Sequence, residues 1–358
     1  VEIDLAAVAA NVQRLLEAAG GAEVWAVIKA NAYGHGAVDA GRAALGAGAS
    51  ALCTATLDEA RAVRAELPDV PLLVLSPLTP GEEAGVAEVG AAVTVGTPEG
   101  WARLRDRHDV DVHVKVNTGM GRWGLGDDEA LRVADEILAG PRPERLAGLM
   151  SHLATADEPD RAFVDLQAER FLAIAERFPA CPRHLSNSAA TLRYPELAFD
   201  AVRPGLAIHG IDPLGVSGLD HGLRPAMRWT SQIRSVRQLA AGESTGYGRR
   251  FVAERPTRVA MIPIGYADGY PRRASGLGEV LIHGRRCAVA GNVSMDQFGV
   301  ALPDDLEARE GDEVVLLGRH GSAIVSAEEI ARHVGTVPYE IVCGVRATLE
   351  RGFREVLE

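Results

Sequence analysis

The feature that most constrains this chain is a regular alternation of short apolar runs with charged amphipathic stretches over roughly its first 220 residues. Short apolar runs are typical of buried parallel strands, and the stretches between them have the spacing of amphipathic helices. The runs lie at residues 24–28, 51–52, 72–75, 91–95, 110–116, 146–150, in the approach to residue 185, and at 201–208. Eight such βα units fit either a TIM barrel or a doubly wound open sheet, and the pattern alone leaves both open.

Chemically distinctive side chains follow several of these runs directly, and their distribution favours the barrel. They are Lys29, Arg122, His152, Asn187 and Arg203. Residues at the carboxyl ends of many strands converge only when a sheet closes on itself, whereas an open sheet gathers ligands mainly at one switch point. We therefore predict an α/β fold of the TIM-barrel, (βα)8, type with one site at the carboxyl ends of its strands.

The helical pattern fades after about Leu223. Short β-branched runs separated by turns replace it, at residues 257–262, 286–290 and 312–318. Residues 212–222, which are rich in Gly, Pro and Asp, are the expected connector. The sequence thus predicts a barrel domain over residues 1–222 and a mostly β domain over residues 223–358.

Charge and composition exclude several classes of protein. The formal net charge is −12, and no cluster of Lys and Arg suited to nucleic-acid phosphates occurs. No apolar run reaches the roughly 18 residues expected of a membrane helix. Four scattered cysteines without a Cys-x-x-Cys pair indicate a reducing compartment and no metal site. We expect a cytoplasmic protein without membrane or nucleic-acid partners, although a signal peptide removed before Val1 remains open.

Lys29 ends the apolar run 24–28 and opens a glycine-bearing loop. An ammonium among hydrophobic side chains loses hydration, so its pKa falls and the neutral amine can attack a carbonyl to form a Schiff base. For a lone lysine, the simpler interpretation is a side chain that reaches the surface past the end of the strand. Here tyrosines and arginines in similar loops accompany it, which favours covalent chemistry.

Eight segments carry a resemblance to a known family. They are AVIKANAYGHG at 26–36, KVNTGMGR at 115–122, SHLATAD at 151–157, NSAA at 187–190, RPGL at 203–206, GYG at 246–248, IGYADG at 264–269 and SMDQ at 294–297. Taken in this order, they resemble the bacterial alanine racemases, pyridoxal-phosphate enzymes that invert the α-carbon of alanine. Each segment is a weak match alone, and the ordered set is specific.

The resemblance implies a two-base mechanism. Lys29 would form the resting imine with pyridoxal 5'-phosphate and serve one face of the substrate, while Tyr247 serves the other. His152 and Arg203 would form a cationic relay that favours the phenolate of the tyrosine. Arg203 would face the pyridine nitrogen, and because arginine does not readily give up a proton, that nitrogen should stay unprotonated.

The resemblance also implies the remaining contacts. Arg122 would contact the phenolic oxygen of the cofactor and the carboxylate of the substrate. Lys115 corresponds to a lysine that is carbamylated in many relatives, but Asn117 stands where an aspartate is common. The other expected cofactor-binding residues are Tyr33, Asn187, Ser188, Gly205, Leu206 and Tyr339.

In the family, Tyr247, Tyr266 and Met295 reach the cofactor and substrate from the neighbouring subunit, so the resemblance implies a homodimer with shared active sites. The activity it implies is interconversion of L-alanine and D-alanine, which supplies D-alanine for peptidoglycan. Alternatives within the same chemistry are a racemase of broad specificity, a decarboxylase or aldolase on a similar barrel, and a non-catalytic pyridoxal-phosphate carrier. Such carriers lack the β domain and the second tyrosine.

A nicotinamide dehydrogenase is a further alternative, because residues 119–124 (GMGRWG) match the dinucleotide fingerprint after a strand. The context argues against it. The next helix is expected to begin only near Asp128, too late to direct its N-terminus at a pyrophosphate, and the following strand ends in Ser151 and His152 rather than in an acidic ligand for a ribose.

Overall fold

The computed structural model describes residues 1–215, 218–346, 349 and 352–354. The chain divides into two compact units. The barrel unit comprises Ala7–Leu214 and His221–Arg224, and the sheet unit comprises Val1–Ala6, Gly215–Asp220 and Pro225–Glu358. The first strand, β1 (Glu2–Asp4), therefore belongs to the sheet unit.

The barrel unit is built on parallel strands that close on themselves. Among the described residues, eight strands form the closed barrel in chain order. They are β2 (Glu23–Val27), β3 (Ala51–Thr54), β4 (Leu72–Val74), β5 (Ala92–Val95), β6 (Val112–Lys115), β7 (Leu146–Met150), β8 (Arg183–His184) and β9 (Ala201–Val202). Pairing of β2 with β9 completes the ring. Strand residues such as Val24, Leu52 and Val93 belong to the hydrophobic core, because both faces of the strands in a parallel barrel are buried.

Helical segments follow the strands. They are α1 (Leu5–Ala18), α2 (Lys29–Tyr33), α3 (Ala37–Gly46), α4 (Leu57–Glu66), α5 (Glu83–Val89), α6 (Pro98–Leu104), α7 (Asp127–Leu138), α8 (Ala162–Ala175) and α9 (Ser188–Arg193). Local sequence sets several of their starts. The Thr56 hydroxyl accepts a hydrogen bond from the Glu59 N–H, and Thr97 caps α6 in the same way ahead of Pro98.

The sheet unit consists mainly of antiparallel strands. They are β10 (Met227–Gln232), β11 (Ser235–Leu239), β12 (Ser244–Thr245), β13 (Phe251–Val252), β14 (Thr257–Ile262), β15 (Glu279–Ile282), β16 (Arg285–Ala290), β17 (Phe298–Ala301), β18 (Glu313–His320), β19 (Ala323–Val325) and β20 (Gly352–Arg354). Its helices are α10 (Ala327–Val334) and α11 (Pro338–Gly344). The strand order is β11-β14-β17-β16-β15-β18-β10-β1-β20, with β19 beside β18 and β12 paired with β13 separately.

The predicted fold class, a TIM barrel followed by a mostly β region, is confirmed. Two local differences have physical causes. The apolar run 201–208 is a strand only at Ala201–Val202, because Pro204 lacks an N–H and a 3-10 turn follows at Leu206–His209. Strand β1 was not predicted, since three residues are too few to show a periodicity. Every helix among the described residues is too short or too polar to traverse a lipid bilayer.

Candidate active site

Lys29 stands at the start of an unusual left-handed turn at the end of β2. Ala30, Asn31, Ala32 and Tyr33 all have φ between 51° and 54°, a conformation that costs non-glycine residues about 1–2 kcal/mol each. Glu59 holds the turn, because its carboxylate accepts hydrogen bonds from the Ala30 N–H at 2.8 Å and the Ala55 N–H at 2.7 Å. The backbone that presents the Lys29 amine is therefore fixed from outside the turn.

Arg203 is a buried cation at the end of β9. Its NH1 group donates to the Nδ1 atom and the carbonyl oxygen of His184, both at 2.7 Å. Its NH2 group donates to the carbonyls of Ser151 at 2.7 Å and Leu185 at 3.2 Å. Burial lowers the pKa of the guanidinium to about 10, so it stays charged near neutral pH. No carboxylate among the described residues forms an ion pair with it, and its Nε makes no hydrogen bond within that set.

Two histidines that the sequence analysis did not select extend this contact into the barrel. His184 Nε2 and His113 Nδ1 lie 2.9 Å apart, and both side chains are buried. The ring of Trp25 packs against both imidazoles, with ring centroids 4.6 Å and 5.5 Å away. A signal for His113 was present, because it lies two residues before Lys115 and so shares a strand face with it.

Four basic side chains form one electrostatic site at this end of the barrel. Lys115 is buried, and its pKa is lowered to about 7, first by burial and then by the positive charges of Arg203, Arg122 and Lys29. Within the described ranges, neither Lys115 nor Arg122 has a salt-bridge partner. The site therefore carries excess positive charge, which suits anionic groups of a ligand.

His152 lies within the field of the same cations, which favours the neutral form of its imidazole. Burial lowers its pKa well below the usual value, and the charge of Arg203 lowers it further. Gln167 holds the His152 backbone, since its amide group donates to the His152 carbonyl at 3.0 Å and accepts from the Ala154 N–H at 2.8 Å. The positive charge of the expected relay thus resides on Arg203 alone, and the guanidinium contacts His184 rather than the His152 ring.

Arg122 lies on the exposed loop after β6. Its guanidinium stacks over the Trp123 ring at 4.5 Å, and the Lys115 amine lies 5.0 Å from the same ring. The Asn117 side chain shapes this loop by accepting hydrogen bonds from the N–H groups of Gly119 at 3.3 Å and Gly121 at 3.0 Å. Asparagine and aspartate both provide such an acceptor, so the loop does not require a charge at position 117.

Tyr33 and Ser188 meet at the turn that follows β9. A Cβ atom on Gly205 would lie 2.2 Å from the Tyr33 hydroxyl, so only glycine leaves room for that hydroxyl here. The Ser188 hydroxyl accepts hydrogen bonds from the N–H groups of Gly205 at 2.9 Å and Ala207 at 3.2 Å. Leu206 begins the 3-10 turn, where first-turn N–H groups have no partner within the helix. Several neutral donors therefore converge on one small region.

Asn187 has a structural position beside this region. Its side-chain oxygen accepts a hydrogen bond from the Ala190 N–H at 3.0 Å and so caps helix α9. The cap places Ser188 as the first residue of the helix, facing the Gly205 turn. Asn187 thus contributes to the region by placing its neighbour.

The sheet unit brings Tyr247, Tyr266 and Met295 to one group of loops. The Ala267 N–H donates to the Met295 carbonyl at 2.9 Å, and the Asn292 amide donates to the Tyr247 carbonyl at 2.7 Å. The three side chains are exposed in the single chain, at 76%, 42% and 59% respectively. The remaining expected residue, Tyr339, is half-buried on helix α11.

Comparison with known proteins assigns this architecture to one family. The N-terminal domain of alanine racemases matches residues 3–213, and the C-terminal domain matches residues 226–353. The alanine racemase of Symbiobacterium thermophilum is 42% identical over 361 residues, which cover 98% of this chain and 95% of the relative. That of Mycobacterium tuberculosis H37Rv is 42% identical over 370 residues, with coverage of 99% and 95%.

A solved structure extends the similarity to three dimensions. The alanine racemase from D-cycloserine-producing Streptomyces lavendulae superposes with a TM-score of 0.93 at 38% identity, covering 99% of this chain and 97% of that one. The biosynthetic alanine racemase of Pseudomonas aeruginosa gives a TM-score of 0.92 at 36% identity, covering 99% and 98%. This chain belongs to the alanine racemase family.

Proposed function

We propose that this protein interconverts L-alanine and D-alanine with pyridoxal 5'-phosphate as its cofactor. The observation that carries the proposal is the cationic site at the carboxyl ends of the barrel strands, where Lys29 shares one electrostatic environment with Lys115, Arg122 and Arg203. A primary amine supplies the covalent attachment, and the arginines suit a phenolate and a carboxylate.

The residues present fit this cofactor. The Tyr33 hydroxyl, the Ser188 hydroxyl and the Leu206 N–H of the turn after Gly205 form a cradle of neutral donors, and a Cβ at Gly205 would collide with the Tyr33 hydroxyl there. Such donors suit a phosphate at the end of a barrel. We assign Tyr339 to the same phosphate by family resemblance. When bound, the cofactor supplies an electron sink that acidifies the α-carbon proton of an amino acid.

The side chains of the protein would then move the proton. Lys29 would hold it at Nζ on one face of the substrate, and Tyr247 would hold it at its hydroxyl on the other. Arg203 retains its charge and uses both NH groups within the protein, so we assign its Nε to the pyridine nitrogen. A donor that keeps its proton limits electron withdrawal there, which should disfavour side reactions such as transamination.

We further propose a homodimer in which the sheet unit of one subunit completes the site of the other. The support is the exposure of Tyr247, Tyr266 and Met295, since large apolar and aromatic side chains grouped on a surface commonly mark an interface. A pocket of ≈ 440 Å³ beside Tyr247 is lined in part by Met261 and Phe298. In this proposal Tyr266 and Met295 contact the substrate.

Lys115 is the proposed site of carbamylation. A pKa of about 7 makes the neutral amine abundant at physiological pH, and its nitrogen can bond to the carbon of CO2 with loss of one proton to water. The resulting negative charge would lie among Arg122, Arg203 and Lys29 and offset their repulsion. Density for an unmodified amine at high resolution, or an unmodified intact mass, would reject the modification.

The biological role we propose is the supply of D-alanine for peptidoglycan in the cytoplasm. Cys53, Cys181 and Cys287 are buried free thiols, which agrees with a reducing compartment. The alternatives of broad specificity, decarboxylation, aldol cleavage or a non-catalytic carrier share the Lys29 chemistry, so the reaction itself must be tested.

The decisive test is deuterium exchange at Cα of each alanine enantiomer, in wild-type protein, Lys29→Ala and Tyr247→Phe. We expect Lys29→Ala to abolish exchange from both enantiomers. A two-base mechanism predicts that Tyr247→Phe impairs exchange from one enantiomer far more than from the other. Equal losses for both enantiomers would contradict the assignment of the two faces. Release of CO2 would indicate a decarboxylase instead, and formation of an aldehyde would indicate aldol cleavage.

A further inference from the structure

Hydrogen-bond chemistry determines which ring donates and which accepts in the contact between His184 and His113. Arginine only donates, so the Arg203 NH1 contact at 2.7 Å requires a lone pair on His184 Nδ1. The proton of a neutral His184 then lies on Nε2, which donates to His113 Nδ1 at 2.9 Å. His113 must in turn carry its own proton on Nε2. We call the hydrogen-bonded side chains of Arg203, His184 and His113 the imidazole chain.

Glycine on the intervening strand makes this contact possible. His113 on β6 pairs with Gly148 on β7, and His184 lies on the next strand, β8. A Cβ on Gly148 would lie 2.3 Å from His113 Nδ1 and 3.0 Å from His184 Nε2. Any larger residue at position 148 would occupy the space of the hydrogen bond.

Burial favours the neutral forms of the His113 and His184 rings, so the charge of the imidazole chain lies on Arg203. It lowers the pKa of His113 to about 3 and that of His184 well below its usual value, and the nearby charge of Arg203 acts in the same direction. If His113 took up a second proton, it would donate toward His184 and force the His184 proton onto Nδ1. That proton would then oppose the NH1 donor of Arg203.

We propose that His113 is a positioning residue for the racemisation reaction, fixing the tautomer of His184 so that Arg203 is held with its Nε directed at the cofactor. This inference rests on the proposed function, because it assigns Arg203 to the pyridine nitrogen. His113 itself touches neither substrate nor cofactor in this scheme. It acts on the buried Arg203 guanidinium through its hydrogen bond to His184.

The first test needs no turnover. ¹⁵N NMR of imidazole-labelled full-length protein, with and without pyridoxal 5'-phosphate, identifies the protonated nitrogen of each histidine. Signals of His113 and His184 are assigned by their loss in His113→Asn and His184→Asn. We expect both residues to carry a proton on Nε2 alone. A proton on Nδ1, or two protons on either ring, would overturn the proposal.

The second test separates positioning from general support of the barrel. His113→Leu removes the acceptor, whereas the amide oxygen of His113→Asn can replace Nδ1. The matched control is Thr94→Val, which alters a buried residue paired with His113 on the neighbouring strand but outside the imidazole chain. We expect kcat to fall roughly 10-fold to 100-fold in His113→Leu with little change in KM, because a buried donor on His184 loses its partner.

Recovery of most of that loss in His113→Asn, with near-normal kcat in Thr94→Val, completes the expected result. Equal losses in the Leu and Asn variants, or a similar loss in Thr94→Val, would overturn the positioning role. Absence of racemisation in wild-type protein would instead refute the proposed function, and the NMR result would still decide whether the imidazole chain exists.

Discussion

The two regions that carry the expected catalytic residues are organised in different ways. In the barrel unit, Arg203 and Lys115 are buried, and Arg203 is held by four hydrogen bonds to His184, Ser151 and Leu185. In the sheet unit, hydrogen bonds to the backbone carbonyls of Tyr247 and Met295 hold their loops while their side chains remain exposed. The barrel side is therefore organised by contacts within one chain, whereas the sheet side leaves its expected catalytic side chains accessible.

This contrast predicts different consequences for substitutions. Changes beside the buried cations should affect folding and cofactor binding together, because packing and chemistry depend on the same contacts. Changes on the exposed sheet surface should reduce activity and assembly while leaving the folded subunit intact. Three predictions, in order of decreasing expected effect, examine this distinction.

The largest effect is expected from Gly205→Ala in the barrel unit. The added methyl would lie 2.2 Å from the Tyr33 hydroxyl and 2.7 Å from its Cζ, and Tyr33 is too buried to move aside freely. We expect a loss of about 1–3 kcal/mol in the free energy of unfolding, typical of overpacking, together with weaker pyridoxal-phosphate binding. Denaturant unfolding and cofactor titration measure the two effects.

Gly46→Ala is the matched control for this substitution. Gly46 lies in the same unit, at the end of α3, and a Cβ there meets no atom within 4 Å. It should leave cofactor binding near its wild-type value and raise stability slightly, because alanine has a higher helix propensity than glycine. Unchanged cofactor affinity in Gly205→Ala would refute the phosphate cradle.

A smaller effect on folding, but a clear effect on assembly, is expected from Met295→Asp in the sheet unit. The side chain is 59% exposed, so the charge costs the single subunit little. In the proposed dimer the same charge would be desolvated, and it should weaken association about tenfold or more with a parallel loss of activity. Sedimentation velocity and racemisation rates measure both.

Leu138→Asp provides the comparison, since Leu138 is an exposed apolar residue on helix α7 of the barrel unit. We expect this variant to keep the association state and activity of the wild type. If Met295→Asp formed the dimer and racemised alanine at the wild-type rate, the proposal of a shared active site would be wrong.

The smallest effect, about 1 kcal/mol per pH unit, is that of a single buried histidine on the pH dependence of stability. Burial lowers the pKa values of His113, His152, His184 and His209, so below about pH 6.5 the unfolded chain binds protons that the folded barrel does not. The free energy of unfolding should therefore fall as pH drops below 6.5, and His113, whose pKa is lowered to about 3, should contribute about 1 kcal/mol per pH unit over that range. Above 6.5 this contribution is fully present and constant.

His209→Phe tests one member of this set. It removes a buried imidazole whose two nitrogens have no hydrogen-bond partner among the described residues, and it should reduce the slope by about one proton. Thr94→Val should shift stability equally at every pH and leave the slope as it was. An unchanged slope in His209→Phe would mean that this histidine does not titrate on unfolding.

The barrel could be predicted from the sequence because the patterns that indicate it recur along the chain. Strand-end positions of Lys29, His152 and Arg203 favour closure of the sheet, and local apolar periodicity locates the strands without tertiary information. The start of helix α7, after the glycine-rich loop, is also predicted well: the sequence indicates a start near Asp128, and the helix begins at Asp127.

The sequence could not predict the contacts that depend on adjacency between strands. His113, Gly148 and His184 are far apart in the chain, and their relation appears only when β6, β7 and β8 lie side by side. The left-handed turn after Lys29 was hidden for another reason. Its residues include no glycine, so local preference argues against φ > 0, and the distant carboxylate of Glu59 stabilises it.

The central claim is that the Lys29 amine binds the cofactor covalently. The direct measurement is borohydride reduction of the full-length protein after incubation with pyridoxal 5'-phosphate, followed by peptide mapping, with Lys29→Ala in parallel. The account predicts a pyridoxyl group on Lys29, displacement of that label by excess alanine before reduction, and no stable label in the variant. A label on Lys115 or on surface lysines alone, or none at all, would contradict it.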